Sequence, residues 1–147
     1  MSKILMAVLV LMTANVYAAD EFLTLNVAAY HFDRKAAKYF NETNSGIGYE
    51  KEDGNMRTMT GMYRNSLYAT SFYALKAYTP IHIGKTSIGV FGGGVTGYIM
   101  KISPAIGVLI TYQASNNIGI NLTVVPTVRA QHIKVYGFSA IQLRYKL

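Results

Sequence analysis

The sequence of 147 residues predicts an all-β protein, an eight-stranded antiparallel up-and-down transmembrane β-barrel that follows an N-terminal signal peptide. Three observations predict this class. The first residues have the parts of an export signal, the rest of the chain alternates between apolar and polar residues in short stretches, and turn residues separate those stretches. Hydrophobic residues make up 51% of the chain and charged residues only 14%, against about 25% in a typical soluble domain.

The composition excludes several classes of function. Fourteen basic and seven acidic residues give a formal net charge of +7, and the chain has no cysteine. A disordered chain has high charge and few aromatic residues, whereas this sequence has 12 tyrosines. Without cysteine there is no disulfide scaffold, no zinc–thiolate site and no thiol chemistry. Because one domain takes about 100–200 residues, the length predicts a single compact unit.

The N-terminus predicts export. Lys3 is followed by nine consecutive apolar residues, Ile4 to Met12, and Val16-Tyr17-Ala18 then places small residues where a signal peptidase cleaves. The apolar run is shorter than the roughly 20 residues that span a bilayer. We therefore assign residues 1–18 to a signal peptide and residues 19–147 to the barrel, with a buried core helix as the alternative for the apolar run. Export of a chain without cysteine indicates a bacterial protein.

Alternation is clearest in the last predicted strand. Ile141, Leu143 and Tyr145 share one face, while Gln142 and Arg144 share the other. Stretches of this kind, rich in tyrosine and β-branched residues and broken by turn residues, are typical of strands. We predict eight strands, at 22–32, 45–53, 55–64, 68–78, 86–98, 105–114, 117–126 and 136–147.

Two kinds of small up-and-down barrel fit eight antiparallel strands. A soluble barrel of the lipocalin type has apolar side chains inside, whereas an outer-membrane barrel has them outside, around a polar lumen. Strands of about 10 residues, many tyrosines for the interfacial girdles and the C-terminal Tyr145-Lys146-Leu147 favour the membrane barrel. We therefore predict a monomer embedded in the outer membrane of a Gram-negative bacterium, and keep a soluble periplasmic lipid carrier as an alternative.

Loop lengths orient the predicted barrel, because periplasmic turns are short and extracellular loops are long. Asp53-Gly54 and Ser115–Asn117 are short turns, so the outer loops lie near 33–45, 64–68, 98–104 and 126–135. This outer end has seven basic and two acidic residues, a net charge of +5, which suits the phosphates of lipopolysaccharide. The candidate headgroup ligands are Arg34, Lys35, Lys38 and Arg64. A merely solvated loop surface is the alternative.

Most motifs that bind cofactors are absent from the sequence. The segment Gly92–Gly97 is glycine-rich but lacks the lysine of a phosphate-binding loop, and glycines in strands let barrel walls bend or approach closely. His31, His82 and His132 do not have metal-ligand spacing. We therefore expect no metal and no other cofactor, and export to a membrane argues against a nucleic-acid partner.

Two candidate site segments meet once the barrel topology is applied. His31 ends the first predicted strand and Asn65-Ser66 ends the third, so both lie at the outer end. A histidine beside a serine supplies the nucleophile or the general base for acyl transfer. A pair of ordinary polar loop residues is the alternative interpretation.

Short matches along nearly the whole predicted barrel resemble the lipid A palmitoyltransferase (PagP) family of eight-stranded outer-membrane barrels. Tyr63-Arg64-Asn65-Ser66 resembles that family's Phe-Lys-Asp-Ser, and Gly89-Val90-Phe91 followed by Gly94-Val95-Thr96 resembles its glycine-rich Gly-Val-Thr strand. The remaining matches are Tyr30-His31, Asn41-Glu42, Gly46-Ile47-Gly48, Pro104 and Val125-Pro126.

The resemblance implies an enzyme that moves an acyl chain from a phospholipid to lipid A at the outer surface. It implies a catalytic group of His31, Asn65 and Ser66, and an acyl chain held in an apolar barrel interior. Pro104 and Pro126 lack an N–H and interrupt strand ladders, so they are candidates for lateral gaps through which lipid enters. The alternative is that both prolines merely end strands.

The sequence departs from that family in three places. The N-terminal amphipathic helix is missing, the loop between His31 and Asn41 is shorter, and Asn65 occupies the position of the aspartate. An amide does not hold an imidazolium as a carboxylate does, and in the serine-protease triad that exchange costs about 10⁴ in rate. The inward positions Gln142, Arg144 and Asn121 also argue against a purely apolar interior. Three functions stay open: an acyltransferase, a non-enzymatic barrel that binds lipopolysaccharide through basic loops, and a soluble lipid carrier.

Overall fold

The computed structural model describes residues 19–130 and 133–147 and confirms an all-β closed barrel of eight antiparallel strands. The predicted signal peptide, residues 1–18, lies outside the described residues. One short helix, α1 (Arg34–Ala37), follows the first strand. The strands are β1 (Asp20–His31), β2 (Gly46–Asp53), β3 (Met56–Arg64), β4 (Thr70–Ile83), β5 (Thr86–Val95), β6 (Ser103–Gln113), β7 (Ile118–Val125), β8 (Val128–Ala130), β9 (Ile133–Val135) and β10 (Phe138–Lys146).

The barrel closes in the order β1-β10-β7-β6-β5-β4-β3-β2. β8 and β9 form a separate two-stranded hairpin in the connection between β7 and β10. Because β1 pairs with both β2 and β10, the sheet closes on itself. The short turns lie at one end with the start of β1, which we call the turn end, and the long loops lie at the other, which we call the loop end. No helix in the two described ranges is long and apolar enough to cross a bilayer.

The structure corrects two predicted boundaries. β4 continues to Ile83, beyond the predicted end at 78, because a register shift between Tyr78 and Ile81 accommodates Pro80. Gly84, with a φ of 57°, then turns the chain directly into β5, so the longer connection predicted there is wrong. In the first loop, Asp33 caps α1 by accepting the backbone N–H groups of Lys35 and Ala36, a helix that the sequence pattern does not predict.

Alternation along the strands separates two faces, as the sequence predicts. Ile141, Leu143 and Tyr145 are exposed on the outside, whereas Gln142 and Arg144 are buried inside. Further exposed apolar side chains continue this outer surface around the wall: Leu23, Leu25, Ile47, Met62, Phe72, Val90, Val108, Ile118 and Ile120. An apolar exterior around a partly polar interior is the arrangement of transmembrane barrels and the reverse of a soluble barrel.

A charged cluster fills the half of the interior nearer the turn end. The fully buried Glu50 accepts a hydrogen bond from Arg57 at 3.2 Å, and its carboxylate lies 3.3 Å from the Arg144 guanidinium. Asn121 donates to the second oxygen of Glu50 at 2.7 Å. Glu52 meets the same two guanidinium groups at 3.4 and 2.5 Å. Two carboxylates therefore compensate two buried guanidinium groups.

The half of the interior nearer the loop end is apolar. Met59, Tyr73, Phe91 and Leu109 are at most 7% exposed and pack into one cluster with Ala77, Val95 and Val125. An eight-stranded barrel is only wide enough for such side chains to fill it. The polar lumen predicted for the whole barrel is thus restricted to one half.

Removing the central carboxylate is expected to destabilise the barrel strongly. Glu50→Ala leaves two buried guanidinium groups with one carboxylate, that of Glu52, and breaking a buried ion pair costs about 3–5 kcal/mol of unfolding free energy. Circular dichroism during urea titration of the detergent-refolded barrel measures the loss. Asp20→Ala is the control, because it breaks an exposed 2.7 Å pair with Lys146 and costs less than about 1 kcal/mol. Equal losses in the two variants would contradict a structural role for the buried cluster.

Candidate functional site

The loop end brings His31 and Ser66 into hydrogen-bond contact. His31 is the last residue of β1, and Ser66 lies in the short connection between β3 and β4. The Ser66 Oγ and the His31 Nε2 are 3.0 Å apart. His31 is 2% exposed and Ser66 is 9% exposed, so the pair lies just beneath the surface of the loop end.

A β-bulge in β1 turns His31 inward. Phe22 and Thr24 face the interior, and strict alternation from them would point residue 31 outward. The register between β1 and β10 shifts by one residue between Asn26 and Ala28. An extra residue in a strand reverses the face of every residue after it, so His31 is buried while its neighbour Tyr30 is 53% exposed.

The second ring nitrogen of His31 faces a carboxylate. The His31 Nδ1 lies 3.4 Å from the Glu42 Oε1, and the same oxygen accepts the backbone N–H of His31 at 2.9 Å. The Glu42 carbonyl accepts the backbone N–H of Ala29 at 2.8 Å, which fixes this part of the loop to β1. The sequence identifies Glu42 only as part of a family-like Asn41-Glu42 pair, and its contact with His31 appears only when the loop is folded.

Arg34 holds the Glu42 carboxylate in place. Its two terminal nitrogens donate to the two carboxylate oxygens at 2.7 and 3.2 Å, and Nη1 also donates to the His31 carbonyl at 3.2 Å. The hydrogen bond from Arg34, followed by that from the His31 backbone, lowers the pKa of Glu42 to about 2. Glu42 is therefore a carboxylate at neutral pH.

Aromatic rings fix the imidazole of His31. The centroid of the Phe40 ring lies 4.7 Å from that of the imidazole, and the centroid of Phe138, at the start of β10, lies 5.7 Å away. Phe40 follows α1, whose first turn begins at the Asp33 cap. The hydrogen bond from the Ala36 N–H lowers the pKa of the Asp33 carboxyl, so the cap is ionised at neutral pH.

The Asn65 side chain is occupied by its own loop and by the β5–β6 connection. It is fully buried, and its Nδ2 donates to the Ser71 Oγ at 2.9 Å and to the Gly97 carbonyl at 2.7 Å. Its Oδ1 accepts the backbone N–H groups of Leu67 and Ala69 at 2.9 and 3.0 Å. The resemblance implies that residue 65 orients the histidine, but in the structure the side chain at His31 Nδ1 is that of Glu42.

The turn that Asn65 closes is tight. Its backbone N–H donates to the Ala69 carbonyl at 2.8 Å, and Tyr68 has a φ of 60°, which is uncommon for a residue with a side chain. Such a conformation persists where the surrounding contacts fix it. Asn65 supplies those contacts, so it shapes the backbone that presents Ser66.

Ser66, His31 and Glu42 thus form a chain of hydroxyl, imidazole and carboxylate. A carboxylate beside Nδ1 favours the tautomer with the proton on that nitrogen, which leaves Nε2 free to accept from the hydroxyl. An imidazole in this state removes the proton from the serine as its oxygen attacks a carbonyl group. The arrangement suits acyl transfer. Within residues 19–130 and 133–147, no three side chains of the metal-ligating types come together.

The four candidate headgroup ligands differ in their surroundings. Lys35, Lys38 and Arg64 are exposed at the loop end, and the Lys38 Nζ lies 4.9 Å from the centre of the Tyr39 ring. Arg34 is exposed as well, but its guanidinium is bonded to Glu42. Three cations of this set, Lys35, Lys38 and Arg64, are therefore exposed, and among the described residues none of them pairs with a carboxylate.

Both prolines lie where the ladder between β6 and β7 ends. Among the described residues, β6 pairs with β7 from Val108–Val124 to Gln113–Gly119, so residues 103–107 have no partner in β7. Pro104 still pairs with Gly94 of β5, and Pro126 directly follows the last residue of β7. In the barrel order β2 lies between β1, which ends at His31, and β3, which Ser66 follows. β6 and β7 are on the opposite side of the barrel, so this interruption lies across the barrel from the candidate site.

No protein-family model matches the chain, and no curated protein matches it. Solved barrel structures do. The de novo designed protein TMB2.3 matches with a TM-score of 0.62 and 14% identity, over 89% of this chain and 98% of that chain. The Yersinia pestis outer membrane protein Ail matches with a TM-score of 0.56 and 12% identity, over 88% and 99% of the two chains. E. coli Outer Membrane Protein W matches with a TM-score of 0.52 and 11% identity, over 89% and 100%. At these identities the likeness shows the fold, which is that of outer-membrane β-barrels.

Replacing Asn65 by aspartate is expected to destabilise the protein. Asn65→Asp puts a carboxylate oxygen where an amide donates to the Gly97 carbonyl, and an unpaired buried acceptor costs about 1–3 kcal/mol. Urea titration of the refolded barrel measures the loss. Lys35→Gln is the control, because it changes an exposed side chain of the neighbouring loop without touching the turn, and we expect a change of less than about 0.5 kcal/mol. An Asn65→Asp protein as stable as the natural one would contradict the role assigned to Asn65.

The ionisation of Glu42 is expected to depend on Arg34. Because the folded-state pKa of about 2 lies below the ordinary value, Glu42 stabilises the loop fully at neutral pH, and this contribution disappears as the pH falls toward 2. Carboxyl ¹³C NMR of the barrel in micelles should show Glu42 titrating near pH 2, and Arg34→Met should raise the midpoint toward the ordinary value. Lys35→Met, which removes a neighbouring charge without a bond to Glu42, is the control. An unchanged midpoint in Arg34→Met would contradict the assigned contact.

Proposed function

We propose that this protein is an outer-membrane acyltransferase that moves an acyl chain from a phospholipid to a lipid A hydroxyl at the outer surface. The proposal rests on the hydrogen-bonded chain of Ser66, His31 and Glu42 at the loop end. Ser66 Oγ lies 3.0 Å from His31 Nε2, and His31 Nδ1 lies 3.4 Å from the Glu42 carboxylate. Ser66 is the nucleophile, His31 the general base and Glu42 the group that orients the imidazole.

The transfer has two halves. His31 Nε2 takes the proton of Ser66 while its Oγ attacks the carbonyl carbon of the phospholipid ester. The bond from that carbon to the glycerol oxygen then breaks, the imidazolium returns its proton to the departing oxygen, and the acyl chain stays on Ser66. In the second half, His31 Nε2 takes the proton of the acceptor hydroxyl while its oxygen attacks the acyl carbonyl carbon. The bond from that carbon to Ser66 Oγ then breaks, and the imidazolium returns the proton to Oγ. Glu42 stabilises the imidazolium in both halves.

A membrane location is supported by the exterior of the barrel. The exposed outward side chains are apolar around the wall, which matches the apolar band of about 25 Å on outer-membrane barrels. The fold likeness to outer-membrane barrels and the predicted signal peptide agree with this location. The long loops, including the one that contains Glu42, then face the outside, where lipid A is found.

The resemblance to lipid A palmitoyltransferases supports the choice of reaction. Asn65 stands where that family has an aspartate. This difference weighs against activity only if residue 65 must supply the carboxylate that orients His31. Glu42 supplies a carboxylate to His31 from the first loop, so the objection does not hold for this chain. The interrupted ladder between β6 and β7 beside Pro104 and Pro126 lies across the barrel from Ser66, so the proposed route of the lipid does not include it.

A second candidate function is non-enzymatic binding of lipopolysaccharide. Exposed Lys35, Lys38 and Arg64 at the loop end favour it, because phosphates bind to such cations. The two functions differ in their dependence on Ser66. Replacing the three cations by alanine would reduce co-purified lipopolysaccharide under either function, and Ser66→Ala would leave the co-purified amount unchanged. Ser66→Ala would change the acylation of lipid A only if the protein is the enzyme.

Mass spectrometry of lipid A from cells with and without the protein tests the enzyme. Natural protein should add one acyl chain, and Ser66→Ala and His31→Gln should abolish the addition. Glu42→Gln should reduce it by about 10²–10⁴, the range that follows from losing the orienting carboxylate of a triad. Lys35→Ala, an exposed change in the same loop, should keep the activity. Unmodified lipid A, with the barrel folded in the outer-membrane fraction by its heat-modifiable gel mobility, would contradict the proposal.

A further inference from the structure

The barrel interior beneath the site has no room for an acyl chain. Met59, Tyr73, Phe91 and Leu109 occupy it at 7% exposure or less. Nearer the loop end, the hydroxyl groups of Tyr63 and Tyr98 meet at 3.1 Å across the interior. Below the apolar cluster the charged side chains of Glu50, Arg57 and Arg144 follow. The interior acyl pocket that the family resemblance implies is therefore filled by this chain's own side chains.

An apolar groove lies on the outer wall instead. It runs over β2, β3 and β4, has a volume of about 460 Å³, and is lined on its outer side by Ile47, Tyr49, Thr60, Met62 and Phe72. Ile47 pairs with Met62, and Met62 pairs with Phe72, so these three side chains form one row on the outside of neighbouring strands. In the next row, Tyr49 pairs with Thr60, which has the smallest side chain of the five.

Two glycines keep the wall thin at the groove. Gly48 and Gly61 pair across β2 and β3, and a Cβ on either would lie 2.2 or 2.6 Å from the Tyr73 hydroxyl inside the barrel. No other residue fits at these positions without displacing Tyr73. The interior is closed at this level, and the groove is therefore open only to the outside, where the membrane lipids lie.

The groove leads toward the candidate site. Ser66 follows Met62 by four residues, which span at most about 13 Å at 3.3 Å per residue of extended chain. Leu67 and Tyr68, next to Ser66, are 47% and 57% exposed, and the exposed Arg64 lies between them and Met62 on the outward face of β3. An ester held at Ser66 would therefore place its acyl chain along β3.

We propose that this groove holds the acyl chain of the lipid ester whose carbonyl reaches Ser66. The inference rests on the proposed function and specifies its substrate: a membrane lipid whose chain stays in the bilayer, against the outer wall, during the reaction. An open groove has no end wall, so we expect no selectivity for the length of the acyl chain. A closed apolar pocket, in contrast, discriminates a single methylene by about 10-fold or more.

Turnover of synthetic diacyl phospholipids tests the groove. The refolded barrel in mixed micelles that contain lipid A as the acceptor is given phosphatidylcholines with dodecanoyl to octadecanoyl chains, and release of the lyso-lipid is measured. Natural protein should release the lyso-lipid from all of them at rates within about 3-fold of one another. Each added methylene extends beyond the open end of the groove and meets no wall. Thr60→Trp should lower turnover of every lipid by about 10-fold, since the indole fills the groove.

Thr58→Trp is the matched control. Thr58 is exposed on the same face of β3, two residues toward the turn end and outside the groove lining, so turnover should stay within about 2-fold of the natural protein. Turnover that requires Ser66 but is unaffected by Thr60→Trp, or that favours one chain length sharply, would overturn the groove while leaving the proposed enzyme intact. Absence of any turnover that requires Ser66 would overturn the enzyme, and the groove with it.

Discussion

The fully buried carboxylate of Glu50, together with that of Glu52, holds two guanidinium groups inside a barrel whose interior is filled by its own side chains. Glu50 lies on β2, Arg57 on β3 and Arg144 on β10, so the pairings join strands on both sides of β1. A shift of one residue in any of these ladders would turn a charge toward the outside. A lipid-facing arginine is unfavourable, by about 2–4 kcal/mol at the centre of a bilayer and less toward its interfaces. The cluster therefore selects one register for this part of the wall.

The candidate site depends on that register. β1 pairs with β2 and β10, and its bulge between Asn26 and Ala28 then reverses the faces, so that His31 points inward at the strand end. β3, which pairs with β2, ends at Arg64, and Ser66 follows two residues later in the turn. His31 and Ser66 thus lie at or just beyond the ends of strands whose register is fixed nearer the turn end. The first loop adds Glu42, and Arg34 holds it through two hydrogen bonds.

The sequence predicts the barrel and the faces of its strands well, because alternation with a period of two is a local property. It also predicts that His31 and Ser66 come near each other, because strand ends in a meander are few. It does not predict Glu42, since the contact needs both the bulge in β1 and the helix α1. The role of Asn65 depends on Gly97, 32 residues away in the sequence, and no local pattern contains that bond. The bulge at Pro80 extends β4 for a similar reason: the pairing of two strands overrides a residue that ends strands locally.

A filled interior limits where a small barrel can bind a ligand. The space inside is taken by side chains that stabilise the fold, so only the rim and the outer wall remain for substrates. The rim of this chain has a hydroxyl, an imidazole and a carboxylate in bonded contact, and the wall beneath it is apolar. Polar groups at a rim bind water readily, but Phe40 and Phe138 pack against the His31 imidazole and shield it from water. Shelter from water strengthens each hydrogen bond in the series. A site that is polar, sheltered and adjacent to hydrocarbon matches a lipid ester, whose polar carbonyl is joined to an apolar chain.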